Sequence, residues 1–253
     1  MERKEAIRSA YHMTGSNSFY DGMMTCSTLP GRAVCRLVWD MNRQDCVRYQ
    51  EKAVSGIPED FAGRLLEVPV GTGILTMPLY RTLPRAEITC LDYSPDMMAQ
   101  AQEKARRMHL GNVAFRQGDV GALPFESGSF DAVLSLNGFH AFPDKEAAYR
   151  EVFRVLRPGG VFCGCFYVKG ECGRTDRLIR RVYERMHFFT PPYETVESLR
   201  ARLGGMYGKA EVGKREEHRV VRLPQGIGWE VTACSGTESR ACTTFSRTSS
   251  IGR

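Results

Sequence analysis

Three carboxylates, one amide and two glycines are spaced so that they could meet a single ligand. Glu67 stands before Gly71 and Gly73 in "LLEVPVGTG", Asp92 follows 19 residues after Gly73, Asp119 lies in "QGDVGALPF", and Asn137 lies in "LSLNGFHAF". Glycines let a backbone approach a ligand and adopt angles closed to other residues. A dinucleotide turn also needs a third glycine, which packs helix on strand beside the pyrophosphate; here that position is Thr76. Glu67 would put negative charge next to such a pyrophosphate. The expected ligand is therefore cationic or zwitterionic and carries no phosphate.

S-Adenosylmethionine answers that description, since it joins a ribose and an adenine to an ammonium group and a sulfonium cation. Asp92 could accept hydrogen bonds from both ribose hydroxyls. Asp119 could accept from the adenine amino group, with the Val120 backbone at a ring nitrogen, and Asn137 would then lie against the methionine end. Each residue also has a plainer role open to it: Gly71 and Gly73 as an ordinary strand-to-helix turn, Asp92 as a helix cap, Asp119 and Asn137 as loop positions. His140 is the sole histidine near the strand ends and is a candidate general base, with packing in an aromatic-rich loop as the alternative. His187 and His218 have no such context, and no metal-ligand spacing occurs.

These side chains can converge only if a parallel sheet brings the ends of several strands together. From residue 64 short β-rich runs alternate with helical patterns, the signature of a doubly wound α/β sheet. Strands are predicted over 64–70, 86–92, 112–119, 131–137 and 160–168. Ser94 can cap a helix with Pro95 at its first position, with Met97, Ala101, Ala105 and Met108 on one face and Gly111 as the stop. Asp144 can cap a second, with Ala148, Val152 and Val155 inward and "RPGG" ending it. Residues 1–60 read as an N-terminal helical segment, linked by "SGIPEDFAG" to a domain over 61–225; residues 170–207 read as further helix, with "AEVG" and "HRVVRL" as short closing strands. Residues 226–253 are half Gly, Ser and Thr and show neither period, so they are expected to be a disordered tail.

The chain has 253 residues, 42% of them hydrophobic and 25% charged, an ordinary soluble balance. It shows neither the apolar run of a secretory leader nor a membrane span, which predicts a cytoplasmic protein. The nine cysteines form no Cys-x-x-Cys pair, so buried reduced thiols are expected, with Cys163 and Cys165 on one strand face, and neither zinc nor a disulfide framework is signalled. The formal charge of +6 gathers past residue 170 in "RLIRRVYERMH", where it reads as a solvated helix face rather than a nucleic-acid patch. Nothing in the pattern speaks to oligomeric state.

The segments "LLEVPVGTG", "LDYSPDMMAQAQEKA", "GDVGALPFESGSFDAVLSLNGFH" and "EVFRVLRPGG", in this order over about 65–165, resemble the class I S-adenosylmethionine-dependent methyltransferases, and among them the small-molecule type that includes the ubiquinone and menaquinone C-methyltransferases. The resemblance implies a seven-stranded, mostly parallel Rossmann-like sheet. It implies Gly71 and Gly73 beside the methionine portion, Asp92 on ribose, Tyr93 and Met97 against adenine, and Asp119 on its amino group. "FYDGM" resembles the family's N-terminal segment, which would lay Tyr20 over the cofactor as part of a lid. Met97 and Met98 could equally be core. The departure is Pro69, where the family usually has glycine; proline cannot donate a hydrogen bond or adopt a glycine-only conformation.

Methyl transfer to a small molecule then follows as the expected activity, chiefly a matter of aligning an acceptor that Phe188, Phe189 and Tyr193 could contact. The alternatives are an RNA or protein methyltransferase and a cofactor-binding homologue without activity.

Overall fold

The computed structural model describes residues 19–39, 41–207, 209–213 and 229–234. Five strands, Arg64–Glu67 (β1), Glu87–Asp92 (β2), Val113–Gln117 (β3), Phe130–Leu136 (β4) and Leu156–Phe166 (β5), pair in parallel in the order β3-β2-β1-β4-β5. Beyond β5 the sheet continues through Trp229–Cys234 (β7), antiparallel to β5 and to its outer neighbour Lys209–Gly213 (β6). Strand order reverses between β1 and β4, and a ligand crevice is expected outside the carboxyl ends at that point.

Side chains alternate across the central strands as a two-residue period requires. Leu66, Val133, Phe162 and Phe166 face one core with Tyr149, Val152 and Val155 of helix Lys145–Val155 (α6) and Leu199 and Leu203 of Val196–Met206 (α8). Leu65, Leu134, Cys163 and Cys165 face the other, with Met77 and Tyr80 of Thr76–Tyr80 (α4) and Ala101 and Ala105 of Pro95–Arg107 (α5). The helices start where their caps stand: Ser94 accepts from Met97 N–H and Asp144 accepts from Ala147 N–H at 2.9 Å. A Ser or Asp cap of this kind is worth about 1 kcal/mol.

Several boundaries differ from those expected. β1 ends at Glu67, because Pro69 has no N–H; on either side of it Val68 N–H donates to Leu134 O at 2.9 Å and Val70 N–H to Leu91 O at 3.0 Å, so the chain still touches β4 and β2. α5 stops at Arg107 rather than at Gly111, since His109 takes the left-handed position (φ 55°) while His109 N–H donates to Arg106 O and Leu110 N–H to Ala105 O, the two bonds of a Schellman end. "RPGG" does not end α6 in a loop of its own but belongs to β5, as an irregularity between the Phe130 and Ala132 pairings. The segment 33–54 is two helices, Leu29–Trp39 (α2) and Arg43–Val54 (α3), preceded by Phe19–Met24 (α1). Asn42 breaks the run: its Oδ1 accepts from Gln44 and Asp45 N–H while Asp45 Oδ2 accepts from Asn42 N–H, a reciprocal cap that starts α3.

In the closing segment 170–207, Gly173–Leu178 (α7) runs into a wider turn at Ile179–Tyr183 and is followed by α8. "AEVG" lies within β6, whereas "HRVVRL" falls outside the described residues. Residues 229–234, part of the stretch expected to be a disordered tail, form β7 instead, because β5 offers an open edge and the segment satisfies it in six register pairs. The other residues of 226–253 lie outside the described residues. The expectation of reduced cysteines without disulfides is also corrected: Cys26 and Cys46 are joined, although Cys35, Cys90, Cys163, Cys165 and Cys172 remain outside any disulfide. The pair comes together because the turn after α1 packs on α3, a tertiary contact with no spacing signature.

Leu134 is fully buried at the centre of β4, between β1 and β5. Leu134→Ala is expected to lower unfolding free energy by ~2–5 kcal/mol. Val47→Ala, at a side chain 48% exposed on α3, is expected to change it by less than about 0.5 kcal/mol. Urea unfolding of both variants checks the contrast.

Candidate functional site

The carboxyl ends of β1, β2 and β4 open on a cavity of about 140 Å³. Its walls include Tyr20, Glu67, Gly71, Gly73, Asp92, Tyr93, Met97, Asp119, Val120 and Asn137, so the residues singled out as ligand contacts converge on one space. Three of the lining residues are carboxylic acids, and among the described residues none of the lining is Lys, Arg or His. The lining offers an anionic phosphate no cationic side chain.

The turn after β1 is shaped by Gly71 (φ 55°) and Gly73 (φ 67°). A Cβ on Gly73 would stand about 3.0 Å from Met77, so the close packing of turn on α4 needs the bare backbone. Pro69 lines the same cavity, and its ring takes the space that a side chain at Gly138 would need, 2.4 Å from the would-be Cβ. Asp92 at the end of β2 accepts from Gly71 N–H at 2.7 Å through one oxygen and from Ser94 N–H at 2.8 Å through the other. Asp119 lies two residues past the end of β3 and accepts from Gly121 N–H at 3.0 Å. The loop after it is held from α6: Arg154 donates to the carbonyls of Leu123 and Phe125, and Glu151 accepts from Leu123 N–H. Asn137 takes a left-handed φ of 56° just beyond β4 and donates through Nδ2 to Tyr49 OH at 2.7 Å.

Sequence reasoning missed the groups that seat the N-terminal helices on this turn. Thr72 OH donates to Asp21 at 2.6 Å, and Asp21 pairs with Lys104 of α5 at 2.8 Å, so α1 is fastened across the glycine turn. Tyr49 of α3 does the same at Asn137. Asp21 was in view within "FYDGM", but its partner stands 51 residues away.

A second cavity, of about 240 Å³, adjoins the first; Tyr20, Met24 and Asn137 line both. Its walls are apolar and aromatic: Trp39, Tyr49, Tyr167, Tyr183, Phe188 and Phe189, with Val182 and Met186 exposed at the rim. Tyr193 lies outside the lining and stacks edge-on against Tyr167 and Phe189. His140 belongs here and not with the carboxylates: its ring stacks on Phe189 at 4.1 Å and its Nδ1 accepts from Tyr167 N–H. Burial, aided by the Lys145 charge, drives it down to about 3. A group so weakly basic is a poor general base near neutrality, and the contacts of His140 are those of a packing and hydrogen-bonding group. His187 is exposed and is not among the lining of either cavity, and His218 lies outside the described residues.

Residues 65–160 match the family described as "Methyltransferase domain". The chain is 41% identical over 114 residues to the demethylmenaquinone methyltransferase of Thermus thermophilus, covering 45% of this chain and 51% of that protein. It is 44% identical over 104 residues to a probable phthiotriol/phenolphthiotriol dimycocerosates methyltransferase of Mycobacterium ulcerans, covering 41% and 39%. The chain thus spans about half or less of these relatives' length. In fold it is similar to the cyclase SpnF, with a TM-score of 0.60 at 20% identity over 79% of this chain and 87% of that one. The matched stretch runs from β1 into β5, so it contains the carboxylate-lined wall, whereas α1–α3 and most walls of the second cavity lie outside it.

Electrostatics around the first cavity follow from burial. Glu67 is 1% exposed, accepts from Tyr80 OH at 2.8 Å, and is raised by burial to about 8, so its carboxyl is largely protonated near neutrality. Burial raises Asp92 to about 6, against the pull of the N–H groups of Ser94, Gly71 and Tyr93. Tyr20 is raised by burial and by the nearby Asp21 and Asp92. Both acids hold their protons more firmly folded than unfolded, so between about pH 4 and 8 they make the fold less stable as pH rises. Glu67→Gln removes the larger share of that slope. Its unfolding free energy is expected to gain on the wild type by about 3 kcal/mol or more between pH 5 and pH 8.5; guanidinium unfolding at both values checks it, and parallel pH dependences would contradict it.

Proposed function

We propose that this chain transfers the methyl group of S-adenosylmethionine to a small, apolar, ring-bearing acceptor held in the second cavity. The observation that carries the reading is the shared wall: a carboxylate-lined cavity and an aromatic one meet at Tyr20, Met24 and Asn137. In this reading Asp92 holds the ribose, Asp119 and Val120 the adenine edge with Tyr93 and Met97 at its faces, and Gly71, Gly73 and Asn137 the methionine end. Helices α1–α3 form the lid, with Tyr20 over the cofactor, and the sheet is the family's seven-stranded one. The sulfonium of the cofactor supplies an activated methyl carbon.

What remains for the protein is alignment and exclusion of water, which can contribute on the order of 7–11 kcal/mol. An acceptor held there would bond to that carbon while sulfur keeps the electrons of the broken carbon–sulfur bond, and a proton given up by the acceptor would pass to water. His140, held neutral, keeps the aromatic wall in place and takes no proton. The named relatives fit this chemistry, one being a demethylmenaquinone methyltransferase and another a phthiotriol/phenolphthiotriol dimycocerosates methyltransferase. An RNA substrate fits less well: Arg177, Arg180, Arg181 and Arg185 are exposed beside the cavity rim, but the cavity itself is lined with apolar rings. Among the described residues no helix is long and apolar enough to cross a membrane, in keeping with a cytoplasmic location, which we also propose.

The test supplies methyl-labelled S-adenosylmethionine with a lipid extract in one arm and total RNA in the other. Label is expected in the organic-soluble products and not in RNA. Val182→Glu, a charge at the apolar rim, is expected to raise the acceptor KM at least about tenfold, or ~1.4 kcal/mol, while leaving cofactor affinity unchanged. Label in RNA alone would overturn the acceptor assignment, and none in either arm would favour a cofactor-binding homologue.

A further inference from the structure

Cys26 after α1, Cys35 on α2 and Cys46 on α3 bring three sulfur atoms within 4.8 Å of one another. All three side chains are buried, at 5% exposure or less. Cys35 Sγ lies 3.3 Å from Cys26 Sγ, with its S–H donating to Met23 O. The thioether-bearing Met41 is buried in the same cluster and Met23 packs against it. Asp45, the nearby carboxylate on α3, is engaged in the cap at Asn42. The chemistry on offer is thus soft sulfur alone, which selects thiophilic ions over hard ones.

We propose that, once Cys26 and Cys46 are reduced, Cys26, Cys35 and Cys46 form a three-thiolate site for a thiophilic divalent ion of the Zn(II) class. Reduction takes two electrons and two protons, delivered by a dithiol that becomes a disulfide itself. Binding then releases the thiol protons as the thiolates form. Around an ion with bonds of about 2.3 Å, tetrahedral geometry sets sulfurs roughly 3.8 Å apart, inside the envelope the three already occupy. A divalent ion leaves the set with one net negative charge where a monovalent ion would leave two, which burial disfavours more strongly. Arg32 is held alongside, its Nε donating to Cys26 O at 2.9 Å. Cys35 and Cys46 also line the aromatic cavity, so the fourth position of a tetrahedral ion is reachable from it. Because the three ligands belong to separate helical segments, an ion here pins together the helices that carry Tyr20 and Tyr49. The proposal does not depend on the methyl-transfer reading.

The full chain, reduced with a trialkylphosphine and freed of it under anaerobic conditions, is titrated with Cd(II) and followed by the sulfur-to-metal absorption in the ultraviolet. One equivalent per chain is expected to bind, with a raised melting midpoint. Cys35→Ser and Cys46→Ser are each expected to weaken binding at least tenfold, and Cys172→Ser to leave it unchanged. A melt of each metal-free variant shows that it is folded, and Cys35→Ala provides a second, apolar replacement. No stoichiometric absorption band in the reduced wild type, a pair of thiols that stays oxidised and takes up no Cd(II), or a band undiminished in both Cys35 variants would overturn the proposal.

Discussion

The Asp92 carboxylate is the joint on which the site depends. One oxygen accepts from Gly71 at the turn after β1 and the other from Ser94 at the start of α5, so a single side chain fixes the end of β2 against both neighbours. The price is burial of a carboxylate, which shows as the rise to about 6. That arrangement works only because the turn is glycine at the positions with positive φ, and because strand order reverses between β1 and β4 to leave a crevice. Everything the cavity can recognise hangs from those strand ends.

Above that joint the N-terminal helices act as a separate layer. Asp21 reaches both Thr72 and Lys104, and Tyr49 reaches Asn137, so α1 and α3 are fastened beside the crevice through polar contacts of modest individual strength. Contacts of this kind can open and re-form without disturbing the sheet, whose apolar layers are nearly solvent-free.

Local features were legible in the sequence. The Ser94 and Asp144 caps, the inward stripe of Ala148, Val152 and Val155, and the shared face of Cys163 and Cys165 all follow from spacing over a few residues. So does the convergence of Glu67, Asp92 and Asn137, since parallel strands necessarily end on the same side. What escaped was tertiary. The Asp21–Thr72 and Tyr49–Asn137 bonds span 51 and 88 residues, the three sulfurs come from three segments, and β7 was hidden in a polar stretch whose pairing partner lies far upstream. The surroundings of His140 were hidden for a different reason: its position near a strand end could be read, but its stacking on Phe189 and its desolvation could not be read from its neighbours in sequence.

The most direct test of the account is calorimetric titration of the full chain with S-adenosylhomocysteine and, separately, with NAD, repeated on Asp92→Asn. The account predicts saturable binding of the adenosyl-sulfur compound at one per chain, weakened at least about tenfold by the substitution, or ~1.4 kcal/mol, and no heat from NAD. Binding of NAD, or binding of S-adenosylhomocysteine that ignores the loss of the Asp92 charge, would contradict it.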